Sequence, residues 1–229
     1  MSAFEVIGGK KLLGSITPQG AKNEALQVIS AVLLSNETVT IHNIPDILDV
    51  NLLIELLHDM NVQVNKLSRH SYSFTAKSVH ENYLASEEFR KKGGKLRGSV
   101  MLAGPMLARF NKAFIPKPGG DKIGRRRLDT HITGFEKLGA KVEYNFENSC
   151  FQLTAEKLIA TKMMLDEPSV TGTANIIMAA VLAEGKTEIY NAACEPYIQQ
   201  LCKMLNNMGA KIEGIGSNLL HIYGVKNLN

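Results

Sequence analysis

The stretch Val50-Asn51-Leu52-Leu53-Ile54-Glu55-Leu56-Leu57-His58-Asp59-Met60-Asn61 decides the fold of this 229-residue chain. Val50, Leu53, Ile54, Leu57 and Met60 recur at the spacing of one face of an α-helix. Asn61, which tolerates left-handed backbone, stops that helix. VQVNKL (62–67) then reads as a strand, paired after a short polar turn with SYSFTA (71–76). The same register returns twice. Ile198, Leu201, Cys202, Leu205 and Met208 precede Gly209, with KIEGIG and LLHIYG behind them. Leu128, His131, Ile132, Phe135 and Leu138 precede Gly139, with KVEYNF and FQLTAE behind.

Working outward, each stripe is preceded by a second helix and a strand. Residues 21–34, about 97–109 and about 173–184 are rich in Ala, Leu, Met and Ile with few charges, so they read as helices buried on most sides. VTIHNIP, AFIPKPGG and TEIYNAA follow them as strands. The unit is helix, strand, helix, strand, strand, three times over, which predicts an α/β domain with pseudo-three-fold symmetry. FEVIGGKKLLGSITPQ (4–19) fits none of the units. It reads as two short strands belonging to another domain.

Composition agrees with a globular chain: 45% of residues are hydrophobic and 21% charged. No apolar run is long enough for a membrane span, and the first residues lack the features of a secretory signal, so a cytoplasmic location with no membrane partner is expected. Cys150, Cys194 and Cys202 show no CxxC spacing and read as small buried thiols. The six histidines make no pair at metal-ligand spacing, and no metal or cofactor is expected. Gly185-Lys186-Thr187 resembles the end of a P-loop, but the motif's first glycine would fall at Ala180 and the helix-to-strand context is reversed.

Charge is unevenly placed. Lys112, Lys117, Lys122, Arg125, Arg126 and Arg127 crowd a short stretch that holds one acid, Asp121. One dense basic cluster beside Gly119, Gly120 and Gly124 points to a local anion site and away from a nucleic-acid surface. The glycines permit close backbone approach, and arginines grip phosphate or carboxylate through paired bonds. The alternative is a solvated basic loop. Gly20-Ala21-Lys22-Asn23 opens the first buried helix, where free N–H groups and Lys22 would receive an anion. There the alternative is a solvated lysine in a first turn.

Four runs together carry a family resemblance: GAKN (20–23), LRGSVMLAGPMLARF (96–110), PGGDKIGRR (118–126) with Asp129 and His131, and AAVLAEGKTEIYNAACEP (179–196). With these the chain resembles the UDP-N-acetylglucosamine 1-carboxyvinyltransferases, enolpyruvyl transferases of peptidoglycan synthesis. The resemblance implies two inside-out α/β barrel domains, each of three βαβαββ-type repeats, in a protein about twice this length. Residues 22–229 would form one domain, and residues 1–21 would give strands to the other. It further implies transfer of the enolpyruvyl group of phosphoenolpyruvate to the 3′-hydroxyl of UDP-N-acetylglucosamine with release of phosphate, by addition and elimination. A chain without the C-terminal half would be inactive alone.

Carried over motif by motif, Lys22 and Asn23 resemble phosphoenolpyruvate and sugar contacts, Arg97 a nucleotide-sugar contact, and Arg126 a phosphoenolpyruvate contact. Arg127, Leu128, Asp129 and Thr130 match the stretch that holds uridine. Glu167, Pro168, Ser169 and Val170 match a second UDP-contacting segment, and Glu195 a polar contact near Asn23. Asp121 stands where the family most often has a reactive cysteine, a proton donor alkylated by fosfomycin. Arg127 and Glu167 replace an expected proline and lysine. Three other readings are a shikimate 3-phosphate enzyme, disfavoured by the PGGDKIGRR loop, a module that binds the nucleotide sugar without turnover, and RNA 3′-end chemistry on a related repeat fold, disfavoured by the lack of a nucleotide-binding histidine motif.

Overall fold

The computed structural model describes residues 3–117 and 127–229. In chain order the first group of elements is α1 (Lys22–Ala31), β1 (Thr38–Ile41), α2 (Leu48–Asp59), β2 (Gln63–Ser68) and β3 (Ser71–Thr75). The second is α3 (Glu87–Gly93), α4 (Ala103–Phe110), β4 (Lys112–Pro116), α5 (Asp129–Lys137), β5 (Lys141–Asn145) and β6 (Cys150–Thr154). The third is β7 (Lys162–Met164), α6 (Val170–Ala180), β8 (Lys186–Tyr190), α7 (Pro196–Asn207), β9 (Lys211–Glu213) and β10 (Leu219–Tyr223). Each group builds one sheet, in the orders β1-β3-β2, β4-β6-β5 and β7-β8-β10-β9. In all three the last strand runs antiparallel between the two before it, as in Val39 opposite Phe74 and Val64 opposite Phe74.

The helices divide as their compositions predict. From Ala25 to Ala31, α1 is buried on every side, and α6 is buried from Gly172 to Ala180. The amphipathic helices α2 and α7 bury Val50, Leu53, Leu56 and Leu57, and Ile198, Leu201, Cys202 and Leu205. Asn61, Gly139 and Gly209 all hold positive φ after their helices, so the left-handed stops form where the sequence places them. Close approach of α4 and α5 to α6 depends on two glycines. A Cβ on Gly104 would sit 2.5 Å from the Asn175 carbonyl oxygen, and one on Gly134 would sit 2.4 Å from Ile176 Cδ1.

Several expectations are corrected. The helix expected over about 97–109 starts as a 3₁₀ turn, Arg97–Leu102, and becomes α-helical only at Ala103. Pro105 has no N–H to give to Met101, so a continuous α-helix would lose that bond, whereas proline fits the first turn of a new helix. Among the described residues, a strand ahead of the buried helix, as a βαβαββ unit requires, is present only in the third group, where β7 runs parallel to β8. The helix α3, which Ser86 caps by accepting the Phe89 N–H at 3.0 Å, was not expected. Lys92 pins it to α2 through Asp59 at 2.6 Å and Glu55 at 2.9 Å. Cys150 and Cys202 are buried, and burial pushes the Cys202 thiol up to about 12, but Cys194 is exposed.

Residues 4–19, expected to give two strands to another domain, pair with no strand within this chain among the described residues. Phe4, Val6, Ile7, Leu12, Leu13 and Ile16 are 81–99% exposed, and no ladder partner meets them among the described residues. A strand is stable only when paired and covered. Among the described residues no helix is long and apolar enough to cross a membrane.

Candidate functional site

A cleft of about 510 Å³ opens where several helical N-termini converge. Its walls come from the start of α1 (Lys22, Asn23, Leu26, Gln27), Asp49 of α2, the 3₁₀ turn (Arg97, Gly98, Met101), Arg127 just before α5, and Glu167, Ser169, Val170 and Thr171 leading into α6. The open N–H groups of first turns favour negative charge, and Lys22, Arg97 and Arg127 add three full positive charges. Asp49 and Glu167 line the same walls, so three cationic side chains face two carboxylates.

Local chemistry explains the placement of each side chain. Lys22 is the first residue of α1, and its ammonium lies 2.5 Å from the Asp49 carboxylate, half exposed. Asn23 follows it on the cleft wall. Arg127 lies against the first turn of α5 in a two-point pair with Asp129, Nε at 2.8 Å and Nη2 at 3.1 Å. That pairing raises its already high pKa, so the guanidinium stays charged. The Thr130 hydroxyl donates to Asp166 Oδ1 at 3.1 Å, and the same oxygen accepts the Glu167 N–H at 3.2 Å. Asp166 thus ties the 127–130 stretch to the 167–170 stretch, which the sequence separates by about 40 residues. Ser169 caps α6 through the Gly172 N–H at 3.3 Å.

Of the residues proposed from sequence, Lys22, Asn23, Arg97, Arg127, Glu167, Ser169 and Val170 line this one cleft. Leu128 and Thr130 are buried behind it, and Asp129 and Pro168 are exposed beside lining residues. Glu195 is the residue before α7, which packs on α1, but it is not part of the lining; its Oε2 is buried without a hydrogen-bond partner among the described residues. Asp121 and Arg126 lie outside the described residues. Gln27, Asp49 and Thr171 were missed. Gln27 had a legible signal, a polar residue one turn after Asn23 among the apolar Ala25, Leu26, Val28 and Ile29. Asp49 had none, because its nearness to Lys22 is a tertiary contact.

Behind the cleft runs a buried polar relay. The Asn175 side-chain oxygen accepts the Gly104 N–H at 2.9 Å, while its Nδ2 donates to the Val100 carbonyl at 2.8 Å and to His131 Nδ1 at 2.9 Å. Because Nδ1 receives a hydrogen bond, the ring proton resides on Nε2, which donates to Thr171 Oγ1 at 3.1 Å on the cleft wall. Burial, and then the charge of Arg97, lowers the His131 pKa to about 4.

Acid should therefore destabilise the fold. The unfolded chain takes up a proton near pH 6.5 while the folded ring resists until about 4, so stability is full above 6.5 and falls between 6.5 and 4, by up to about 3 kcal/mol. Urea unfolding at pH 7, 5.5 and 4.5 checks this. The acid slope should shrink by that amount in His131→Gln; an unchanged slope would assign it to other groups.

A sequence profile described as EPSP synthase (3-phosphoshikimate 1-carboxyvinyltransferase) matches residues 6–229. The chain belongs to the EPSP synthase family. Within that family it is similar to proteins named UDP-N-acetylglucosamine 1-carboxyvinyltransferase. It is 64% identical to the one from Bacteroides fragilis and 58% identical to that of Porphyromonas gingivalis, in both cases over all 229 residues and 53% of the relative. The chain thus spans about half the length of these curated relatives. Solved EPSP synthase family folds match as well. The enolpyruvyl transferase NikO from Streptomyces tendae superposes with a TM-score of 0.80 at 18% identity, over 95% of this chain and 50% of that one. EPSP synthase from Acinetobacter baumannii gives 0.70 at 19% identity, over 94% and 48%.

Proposed function

We propose that this chain is the nucleotide-sugar-binding half of a UDP-N-acetylglucosamine 1-carboxyvinyltransferase, which moves the enolpyruvyl group of phosphoenolpyruvate to the sugar 3′-hydroxyl with release of phosphate. The observation that carries the reading is the convergence of Lys22, Asn23, Arg97, Arg127, Glu167, Ser169 and Val170, from four separate parts of the chain, on one cationic cleft. Its similarity to relatives bearing that name supports the choice of substrate.

In this reading Lys22 and Arg97 neutralise the anionic groups of the two substrates, and Asn23 orients the sugar. Residues 127–130 and 167–170 form the uridine diphosphate wall, held to one another by Asp166. Arg126 grips phosphoenolpyruvate, and Glu195 supports the α1 end of the cleft. Asp121 gives a proton to the methylene carbon of phosphoenolpyruvate as the sugar hydroxyl, losing its proton to a base of the other half, adds to the neighbouring carbon. Loss of phosphate and of one methyl proton then restores the carbon–carbon double bond, now as an enol ether. Residues 1–21 supply strands to a second domain, a role that the exposed apolar side chains of the 4–16 segment fit. The three similarly ordered sheets support an inside-out barrel with pseudo-three-fold symmetry. Both substrates are cytoplasmic metabolites, so that is where the enzyme would work.

Calorimetric titration of the chain with UDP-N-acetylglucosamine, beside a phosphate-release assay, tests the reading. Binding without phosphate release is expected from the chain alone, because the opposite wall of the transition-state site belongs to the other half, and each missing stabilising donor is worth about 2.7 to 4 kcal/mol. Arg97→Ala should weaken binding by about 10-fold or more through loss of a charge-assisted bond. Lys186→Ala, which removes an exposed lysine paired with Glu188, should leave it unchanged. Equal effects would make the cleft an ordinary polar surface.

A further inference from the structure

We propose that Gln27 recognises the acetamido group of the bound sugar nucleotide, an assignment that rests on the function proposed above. Gln27 is 1% exposed, and neither its side-chain oxygen nor its nitrogen has a hydrogen-bond partner among the described residues. It nevertheless lines the cleft, one helical turn beyond Asn23. A buried primary amide with both ends unpaired weakens a fold, and a ligand that satisfies one end recovers part of that loss on binding.

The chemistry of the amide narrows the ligand. Gln27 presents one acceptor and one donor group, and a trans secondary amide can satisfy either of them, its N–H giving to Oε1 or its carbonyl accepting from Nε2. A secondary amide carrying a methyl group also needs an apolar neighbour, and Leu26 and Met101 line the same cleft. The cations Lys22, Arg97 and Arg127 on its other walls suit the phosphates of the same molecule. A lone hydroxyl places donor and acceptor on a single oxygen and leaves the methyl-sized apolar wall uncovered. The acetamido sugar is therefore the better fit to this floor.

The test titrates the chain with UDP, UDP-glucose and UDP-N-acetylglucosamine. The wild type should prefer the N-acetylated sugar to UDP-glucose by about 10-fold, as one hydrogen bond to an otherwise unpaired group allows. Gln27→Met, nearly isosteric and free of amide groups, should lose that preference while its affinity for UDP changes by less than about twofold. Its melting temperature without ligand should rise, because the unpaired amide is gone; Gln27→Leu serves if the methionine variant fails to fold. A preference retained in the variant, or one absent from the wild type, overturns the assignment. A wild-type chain that does not bind UDP at all overturns the functional reading itself.

Discussion

Replacing Asn175 by alanine should destabilise the chain by roughly 3 to 6 kcal/mol, since each buried polar group left unpaired costs about 1–3 kcal/mol. Three partners would lose their bonds at once: the Gly104 N–H, the Val100 carbonyl and His131 Nδ1. Asn175 is fully buried on α6, so water cannot substitute without a cavity opening. Packing adds to the loss, because Gly104 lies against the Asn175 backbone and depends on that close fit. A native domain holds only about 5–15 kcal/mol in total, so the variant should be largely unfolded at moderate urea concentrations. Urea denaturation followed by circular dichroism gives the number. A loss below about 1.5 kcal/mol would mean that the relay is dispensable. Asn175→Asp should also be poor, since a carboxylate cannot donate to Val100 or to His131.

Asp121→Asn, in the enzyme completed by its second half, should cut turnover by about 10²–10⁴-fold, the usual worth of a positioned general acid. An amide cannot release the proton that the methylene carbon must receive. Arg125, Arg126, Lys117 and Lys122 stand close by in the sequence and favour the ionised carboxylate, which opposes the role. Under the proposed function, bound phosphoenolpyruvate would offset those cations with its phosphate and carboxylate and so favour the protonated acid in the substrate complex. Turnover should accordingly fall as the pH rises through the bound-state pKa. Sugar binding should survive in the asparagine variant. A carboxylate is also a far weaker nucleophile than a thiolate, so fosfomycin should form no adduct with the wild type, while Asp121→Cys should be labelled. Wild-type turnover in Asp121→Asn, or an adduct on the wild type seen by mass spectrometry, removes Asp121 from the role.

The elements of this chain were legible because periodicity is a local property. Helix stripes at 50–60 and 198–208, left-handed stops at Asn61, Gly139 and Gly209, and paired β runs all follow from residues near one another. The seven cleft residues named from sequence were legible for a different reason, their positions in stretches that align with family motifs, from which Arg127 and Glu167 are departures. Tertiary structure decided what neither signal encodes. It showed that Arg127 is occupied by Asp129, that Asp166 joins two wall segments distant in the chain, and that Lys22 meets Asp49. It left residues 4–19 without the partners that turn an apolar run into a strand. It also placed Gln27 and the His131–Asn175 relay. Pairing, burial and charge compensation depend on groups far apart in sequence, and no pattern along the chain records which of them will meet.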